Sequence, residues 1–300
     1  MKIYYHTDYV AAAHVFATTR KPAWVYGDLM KRPATGIEWA EPDAVTPEQL
    51  AGVHTPEYVD AVRTGTPIKL ASGCGFPWEP GLWRATTRST GGVVAAALDA
   101  WKSRKNTGSL SCGLHHARRE RGGAFCTFNG LALAAHTVLA AGAKRVLILD
   151  LDAHGGGGTH DILGTNIGVV HVDIATCSFD RHPAKAPSSY RCIGDAGDYL
   201  PTVQSRLDAV LADGPVDLCL YNAGVDCHEN DPGGGMDGMT TTLLRRREEL
   251  VFAWGRKHGV PISFVLAGGY PGDGHQQETV VSLHRQTIEA ALGFKKTAAH

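Results

Sequence analysis

Residues 148–160 run Ile148-Leu149-Asp150-Leu151-Asp152-Ala153-His154-Gly155-Gly156-Gly157-Gly158-Thr159-His160. An apolar, β-branched lead gives way to two carboxylates and an imidazole, and then to four glycines. The lead suits a strand buried on both faces. The segment beyond it suits either a metal site at the strand's end or a glycine loop around phosphate. In extended chain, side chains at i, i+2 and i+4 point one way. Asp150, Asp152 and His154 would then share a side. A phosphate loop offers backbone N–H groups and usually a lysine. Here Asp150 and Asp152 would repel phosphate, and the glycine run carries no lysine. Carboxylate with imidazole suits a divalent metal.

The same rhythm extends along the chain. Apolar runs predict strands at Lys2–Tyr5, Gly108–Cys112, Arg145–Leu151, Gly168–Val172, Val216–Tyr221 and Ile262–Ala267. Amphipathic segments predict helices near Pro56–Arg63, Thr86–Trp101, Asn129–Ala141, Asp198–Ala212, Thr242–His258 and Gln276–Ala291. Strands alternating with helices imply an α/β fold, with a mostly parallel sheet flanked by helices on both faces. At 300 residues and 43% hydrophobic composition, one large core suffices. A single domain over 1–294 is expected, with a frayed tail from Lys295 to His300. The stretch His182–Ser189 reads as a loop too short to link domains.

The formal net charge is −1, which leaves no global footprint for nucleic acid or anionic membrane. The N-terminus lacks an apolar leader, and no window approaches the roughly 18 apolar residues of a membrane span. A cytoplasmic setting is the expectation. The seven cysteines are scattered and never spaced C-x-x-C, against both a disulfide scaffold and a thiolate zinc knuckle. Fifteen histidines raise the expectation of a metal or acid–base site.

In open α/β sheets, ligands bind beyond the carboxyl ends of strands. Five predicted strands end in groups with chemical capability: His115-His116, Asp152 with His154, Asp173, Asp226, and Gly268-Gly269-Tyr270. A catalytic zinc takes three protein ligands and keeps one position open. Asp152 and His154 supply two, and Asp226 is the natural third. Iron or cobalt could compete for such a hard site. A histidine of the tandem pair could take a proton from acidified water. Tyr270 could donate to a developing oxyanion. Singly, each residue has a plain structural reading: caps, satisfied core imidazoles, a packing tyrosine.

Taken together, His54-Thr55-Pro56-Glu57-Tyr58, Gly113-Leu114-His115-His116-Ala117, Gly123–Asn129, Asp150–His154 with Gly158-Thr159, Asn222–Asp226 and Gly268-Gly269-Tyr270 resemble the zinc-dependent histone deacetylase superfamily, which includes acetylpolyamine amidohydrolases. The motifs occur in family order over residues about 54 to 270. Arg118–Gly123 and Arg247–Phe252 look most like its class IV branch. The resemblance implies an arginase/deacetylase-like fold and Zn2+ on Asp152, His154 and Asp226. It implies His116 as general base, His115 as its electrostatic or acid partner, and Tyr270 as carbonyl polariser. Phe125 and Gly269 would contact substrate, with Phe179 a candidate second tunnel aromatic. Asp150 and Asp173 would surround a structural K+. The substrate would be an acylated lysine peptide or small acylated amine, with no nucleic-acid or membrane partner.

One departure matters. Gly157 stands where the family usually has Asp or Asn, so the base His116 is expected to lack its orienting partner unless another group substitutes. The glycine loop keeps open a deacetylase-like binding protein with weak or no activity, and the related fold keeps open a two-metal ureohydrolase-like enzyme. The latter needs a further acidic ligand where Gly156 stands. The loop Phe76–Pro80 with Glu79 is either a substrate clamp at the rim or ordinary surface.

Overall fold

The computed structural model describes residues 1–12 and 16–294, so the expected tail at 295–300 lies outside them. The eight strands are β1 (Lys2–Tyr4), β2 (Glu38–Ala40), β3 (Thr107–Ser109), β4 (Val146–Asp150), β5 (Val169–Ala175), β6 (Ser189–Cys192), β7 (Leu218–Asn222) and β8 (Ile262–Val265). They form one sheet in the order β2-β1-β3-β8-β7-β4-β5-β6, and every pairing is parallel. All eight carboxyl ends therefore meet one rim.

Alternation in the central strands makes two cores. Leu147, Leu149 and Leu151 join Val170, Val172, Cys219 and Tyr221 on one face. Helices α1 (Lys21–Lys31), α8 (Ala196–Ala212), α9 (Thr241–His258) and α10 (Gln277–Leu292) cover it. Val146, Ile148, Val169, Leu218 and Leu220 face the other way. There they meet α3 (Pro56–Thr64), α5 (Pro80–Ser103) and α6 (Gly130–Ala140), with short α2 (Pro47–Leu50) and α7 (Gly157–Leu163) alongside. A further short helix, α4 (Ile68–Ala71), lies between α3 and α5 in the chain. This is the three-layer arrangement that buried parallel strands demand.

Caps fix where the helices start. Asn129 accepts the Ala132 amide at 2.9 Å to open α6, and Thr240 accepts that of Leu243 at 3.2 Å to open α9. The same Asn129 donates to the carbonyl of Ala117 and to Thr159 Oγ1, each at 3.1 Å. It thereby ties the His115-His116 loop to α6 and α7.

The decisive stretch departs from its expected geometry. β4 stops at Asp150, so the strand does not run through Asp152 and His154. The carboxylates themselves end it. Asp150 accepts the Asp152 amide at 3.2 Å, and Asp152 accepts the His154 amide at 3.0 Å. Two successive side-chain turns of this kind curl the chain onward. It enters α7 at Gly157, so the glycines form a helix start beside stacked acids rather than a phosphate cradle.

Candidate metal and catalytic site

Register sets the first layer of the site. Asp173 of β5, Asp150 of β4 and Asn222 of β7 stand side by side at the strand ends. Asn222 donates to Asp150 Oδ1 at 2.9 Å, and His115 Nδ1 donates to Asp150 Oδ2 at 2.8 Å. Above this row, Asp152, His154 and Asp226 each bring a ligand atom within 4.8 Å of the others. His154 Nδ1 lies 3.2 Å from Asp152 Oδ1 and 3.1 Å from Asp226 Oδ2. Its other nitrogen, Nε2, donates to the Gly233 carbonyl at 3.0 Å. That contact turns Nδ1 toward the carboxylates, the outer support a metal-bound histidine needs. The remaining carboxylate oxygens are held by backbone: Gly268 N–H donates to Asp152 at 2.7 Å and Ala153 N–H to Asp226 at 2.9 Å.

The electrostatics fit a divalent ion. Burial pushes the Asp226 carboxyl up and neighbouring Asp152 adds to it. His154 is pushed up to about 12: burial opposes its charge, but hydrogen bonds to Asp152 and Asp226 overcome it. A proton there bridges two carboxylates, and a divalent ion would meet the same three atoms with more charge.

The histidine pair is polarised. Burial opposes charge on His115, but Asp150 and Asp152 raise it to about 10. Burial, reinforced by the His115 charge, lowers His116 to about 4. His115 Nε2 donates to His116 Nε2 at 3.1 Å, and His116 Nδ1 donates to Asp180 Oδ2 at 2.8 Å. The surroundings thus favour the cation on His115 and the neutral ring on His116.

A pocket reaches this centre. Phe125, His115, His116, Asp152 and Tyr270 line it. Phe125 is 47% exposed and packs on Phe16 and Phe76, and Phe16 stacks on Tyr270. Phe179 stands edge-on over His116 and His154. Gly268 lines the pocket, while the Gly269 carbonyl accepts from Thr18 Oγ1 at 2.6 Å. Among the described residues six non-glycines adopt positive φ, and five of them (Leu114, Ala124, Phe125, Asp180 and Ala267) surround this centre. Such backbone costs on the order of 1–3 kcal/mol per residue and concentrates where a site is built.

Residues 14–285 match the histone deacetylase domain. The chain belongs to that family. Among its relatives is an uncharacterized protein of Picosynechococcus, 33% identical over 91% of this chain and 93% of that one. Histone deacetylase 2 of Arabidopsis thaliana is 28% identical over 77% of this chain, which spans 62% of its length. Acetylpolyamine amidohydrolase 2 of Pseudomonas aeruginosa is 28% identical over 65% of this chain and 60% of its own length. Among solved structures, the HD domain of HDA15 superposes with a TM-score of 0.81 at 25% identity, covering 98% of this chain and 91% of that one. An acetylpolyamine aminohydrolase from Burkholderia pseudomallei shares the fold, with a TM-score of 0.80 at 20% identity over 97% of this chain and 98% of that one. This histone deacetylase relative is a deacetylase-type amidohydrolase.

Two features of this deacetylase were not legible in its sequence. The first is a group that stands in for the side chain absent at Gly157. Asp180, from the loop after β5, fills that place, and Arg118 holds its other oxygen while donating to the Gly157 carbonyl at 2.9 Å. Gly157 is what makes room: a Cβ there would lie 2.4 Å from Asp180 Oδ1. The carboxylate here comes from the loop after β5, not from position 157. The second is Lys21 at the start of α1, only 1% exposed, whose ammonium donates to the Ala267 carbonyl and faces the Tyr270 ring at 5.9 Å. It braces the turn that carries Tyr270. No residue pattern flagged either, because both are isolated in sequence.

Proposed function

We propose that this deacetylase hydrolyses the amide of an N-acylated lysine or small acylated amine, with one zinc ion on Asp152, His154 and Asp226. The observation that carries the reading is the convergence of those three ligand atoms within 4.8 Å beside the polarised His115–His116 pair. Iron or cobalt would suit the same donors. The ion would supply Lewis acidity toward the amide carbonyl and toward water.

The chain's own residues do the rest. Neutral His116 takes the proton of the attacking water, and Asp180 fixes its tautomer and ring plane. Cationic His115, paired to Asp150, favours negative charge building up beside it and can return a proton to the leaving amine. Tyr270 remains a phenol, since burial raises its hydroxyl well above the usual range. It therefore donates to the oxyanion. Phe125 flanks the acyl-bearing chain, and Gly269 carries the backbone of the tyrosine turn. A structural K+ beside Asp150 and Asp173 belongs to the same proposal, supported by Asp173 Oδ1, which has no hydrogen-bond partner among the described residues. A cytoplasmic setting suits seven free cysteines. The binding-protein alternative rested on a base without support, and Asp180 removes that ground.

The test is amine release from a panel of acyl-lysine peptides and acylated polyamines, with zinc content measured in parallel. Tyr270→Phe should cost about 10²–10³ in kcat while zinc content holds, as removal of an oxyanion donor does. Full zinc loading without turnover of any acyl amine would refute the reading.

A further inference from the structure

Behind the histidine pair lies a second buried cluster, of which the chemistry above uses only Asp173. His171 and Asp173 sit two residues apart on β5, so their side chains leave the same face of the strand. His182 comes from the loop between β5 and β6. All three are buried. His182 Nε2 lies 2.9 Å from Asp173 Oδ2 and His171 Nε2 lies 3.9 Å from the same oxygen. One ligand atom from each residue falls within 4.8 Å of the other two.

Polar atoms without partners crowd this spot. Both ring nitrogens of His171, His182 Nδ1 and the Tyr190 hydroxyl make no hydrogen bond to any described residue. Native interiors leave few such atoms, and each calls for an explanation. Gly156 keeps the space clear, since a Cβ there would lie 3.3 Å from His171 Nε2.

We propose that His171, Asp173 and His182 bind a second divalent transition-metal ion of the zinc type, separate from the Asp152–His154–Asp226 centre. Two imidazole nitrogens and one carboxylate oxygen select zinc, cobalt or nickel, whereas an alkali ion wants oxygen alone. The ion is a structural clip. The loop that supplies His182 also carries Phe179 and Asp180; its other ties include the Thr176 and Cys177 amides on the Ala153 carbonyl, the Gly155 amide on that of Phe179, the His171 amide on Ser188 Oγ, and His116 and Arg118 on Asp180. Clamping His182 to β5 fixes the loop and so holds Asp180 on His116. The site itself stands apart from the proposed hydrolysis; only this consequence rests on it.

Zinc per chain, measured by mass spectrometry after dialysis in potassium buffer, tests the proposal with Asp226→Asn and the pair His171→Gln/His182→Gln alongside. Two equivalents are expected in the unaltered protein and one in each variant. One equivalent in the unaltered protein that Asp226→Asn removes would overturn the second site and leave the catalytic centre standing. One equivalent that only the histidine pair removes would uphold the second site and sink the first. Two equivalents that survive His171→Gln/His182→Gln would also overturn it. Because that variant could fail to fold, anomalous diffraction at the zinc edge from crystals of the unaltered protein gives an independent reading. A peak between β5 and His182 supports the clip. A potassium signal alone at that position overturns it.

Discussion

Position 157 decides which side chain can reach His116. Asp180 supplies a carboxylate to His116, and the glycine leaves it room. Gly157→Asn, which a sequence comparison would offer as a repair, should therefore harm: its side chain collides with Asp180. A loss of about 10–100-fold in kcat/KM is expected, the usual cost of removing such a partner. Asp180→Asn should cost a similar factor. Combining Gly157→Asn with Asp180→Gly should recover part of the loss, because the support returns to the α7 side. The pH profile carries a sign as well. The Asp180 carboxylate raises His116, so its removal lowers the base's pKa and moves the acidic limb of kcat/KM to lower pH. A rate–pH series on the variants reads both effects. Much of the centre was legible at this scale. Asp152, His154, Asp226, His115, His116 and Tyr270 lie just past strand ends and gather at one pocket and its floor. Asp180 was hidden because nothing local distinguishes one loop aspartate from another. Only the fold brings residue 180 to residue 116.

Among elements, α9 does more than cover a sheet face. Its Arg247 is fully buried and donates to the carbonyls of Gly224 at 2.7 Å and Leu151 at 3.2 Å. Those carbonyls belong to the loops that carry Asp226 and Asp152. Glu248 accepts from Arg247 Nε at 2.8 Å and from the Tyr221 hydroxyl at 3.0 Å. Arg247→Ala strands that carboxylate in the interior, and about 3–5 kcal/mol of destabilisation should appear in urea unfolding. Arg247→Lys should rescue little, since an ammonium lacks the guanidinium's fork. The long elements were readable: α9 was expected at Thr242–His258 and runs Thr241–His258. What escaped were β2, β6 and α1, along with the short helices α2, α4 and α7. β2 and β6 are edge strands of three and four residues, too short to show alternation. Helix α1 contains Gly27 and a Trp24–Tyr26 run, which hide its apolar stripe.

For the whole molecule, acid is the revealing stress. His54 lies buried, donating from Nδ1 to the Arg118 carbonyl at 2.9 Å and accepting the Asn129 amide on Nε2 at 3.0 Å. Burial lowers it to about 4. Between that value and its ordinary value of 6.5 the unfolded chain binds a proton that the folded chain refuses. Stability from this group is thus present above about pH 6.5 and lost as pH falls toward 4. At 1.36 kcal/mol per pKa unit the full effect is about 3 kcal/mol. His54→Gln should flatten the pH dependence of urea midpoints across that window, at some cost in stability at pH 7. Metal should matter at the same scale. Zinc at about a thousand times its dissociation constant adds about 4 kcal/mol to the folded state, so a chelator should lower Tm visibly.

An all-parallel sheet sends every strand's carboxyl end to one rim, and the chemistry of residues 115–270 gathers there. The opposite rim is left to plain connections. One is the turn from α7 to β5, where Thr165, Asn166 and Ile167 lie in the open. That geography gives the protein a front and a back. A tether, a fused partner or a new pair of termini placed at Thr165–Ile167 would anchor the molecule from behind, with its pocket facing outward.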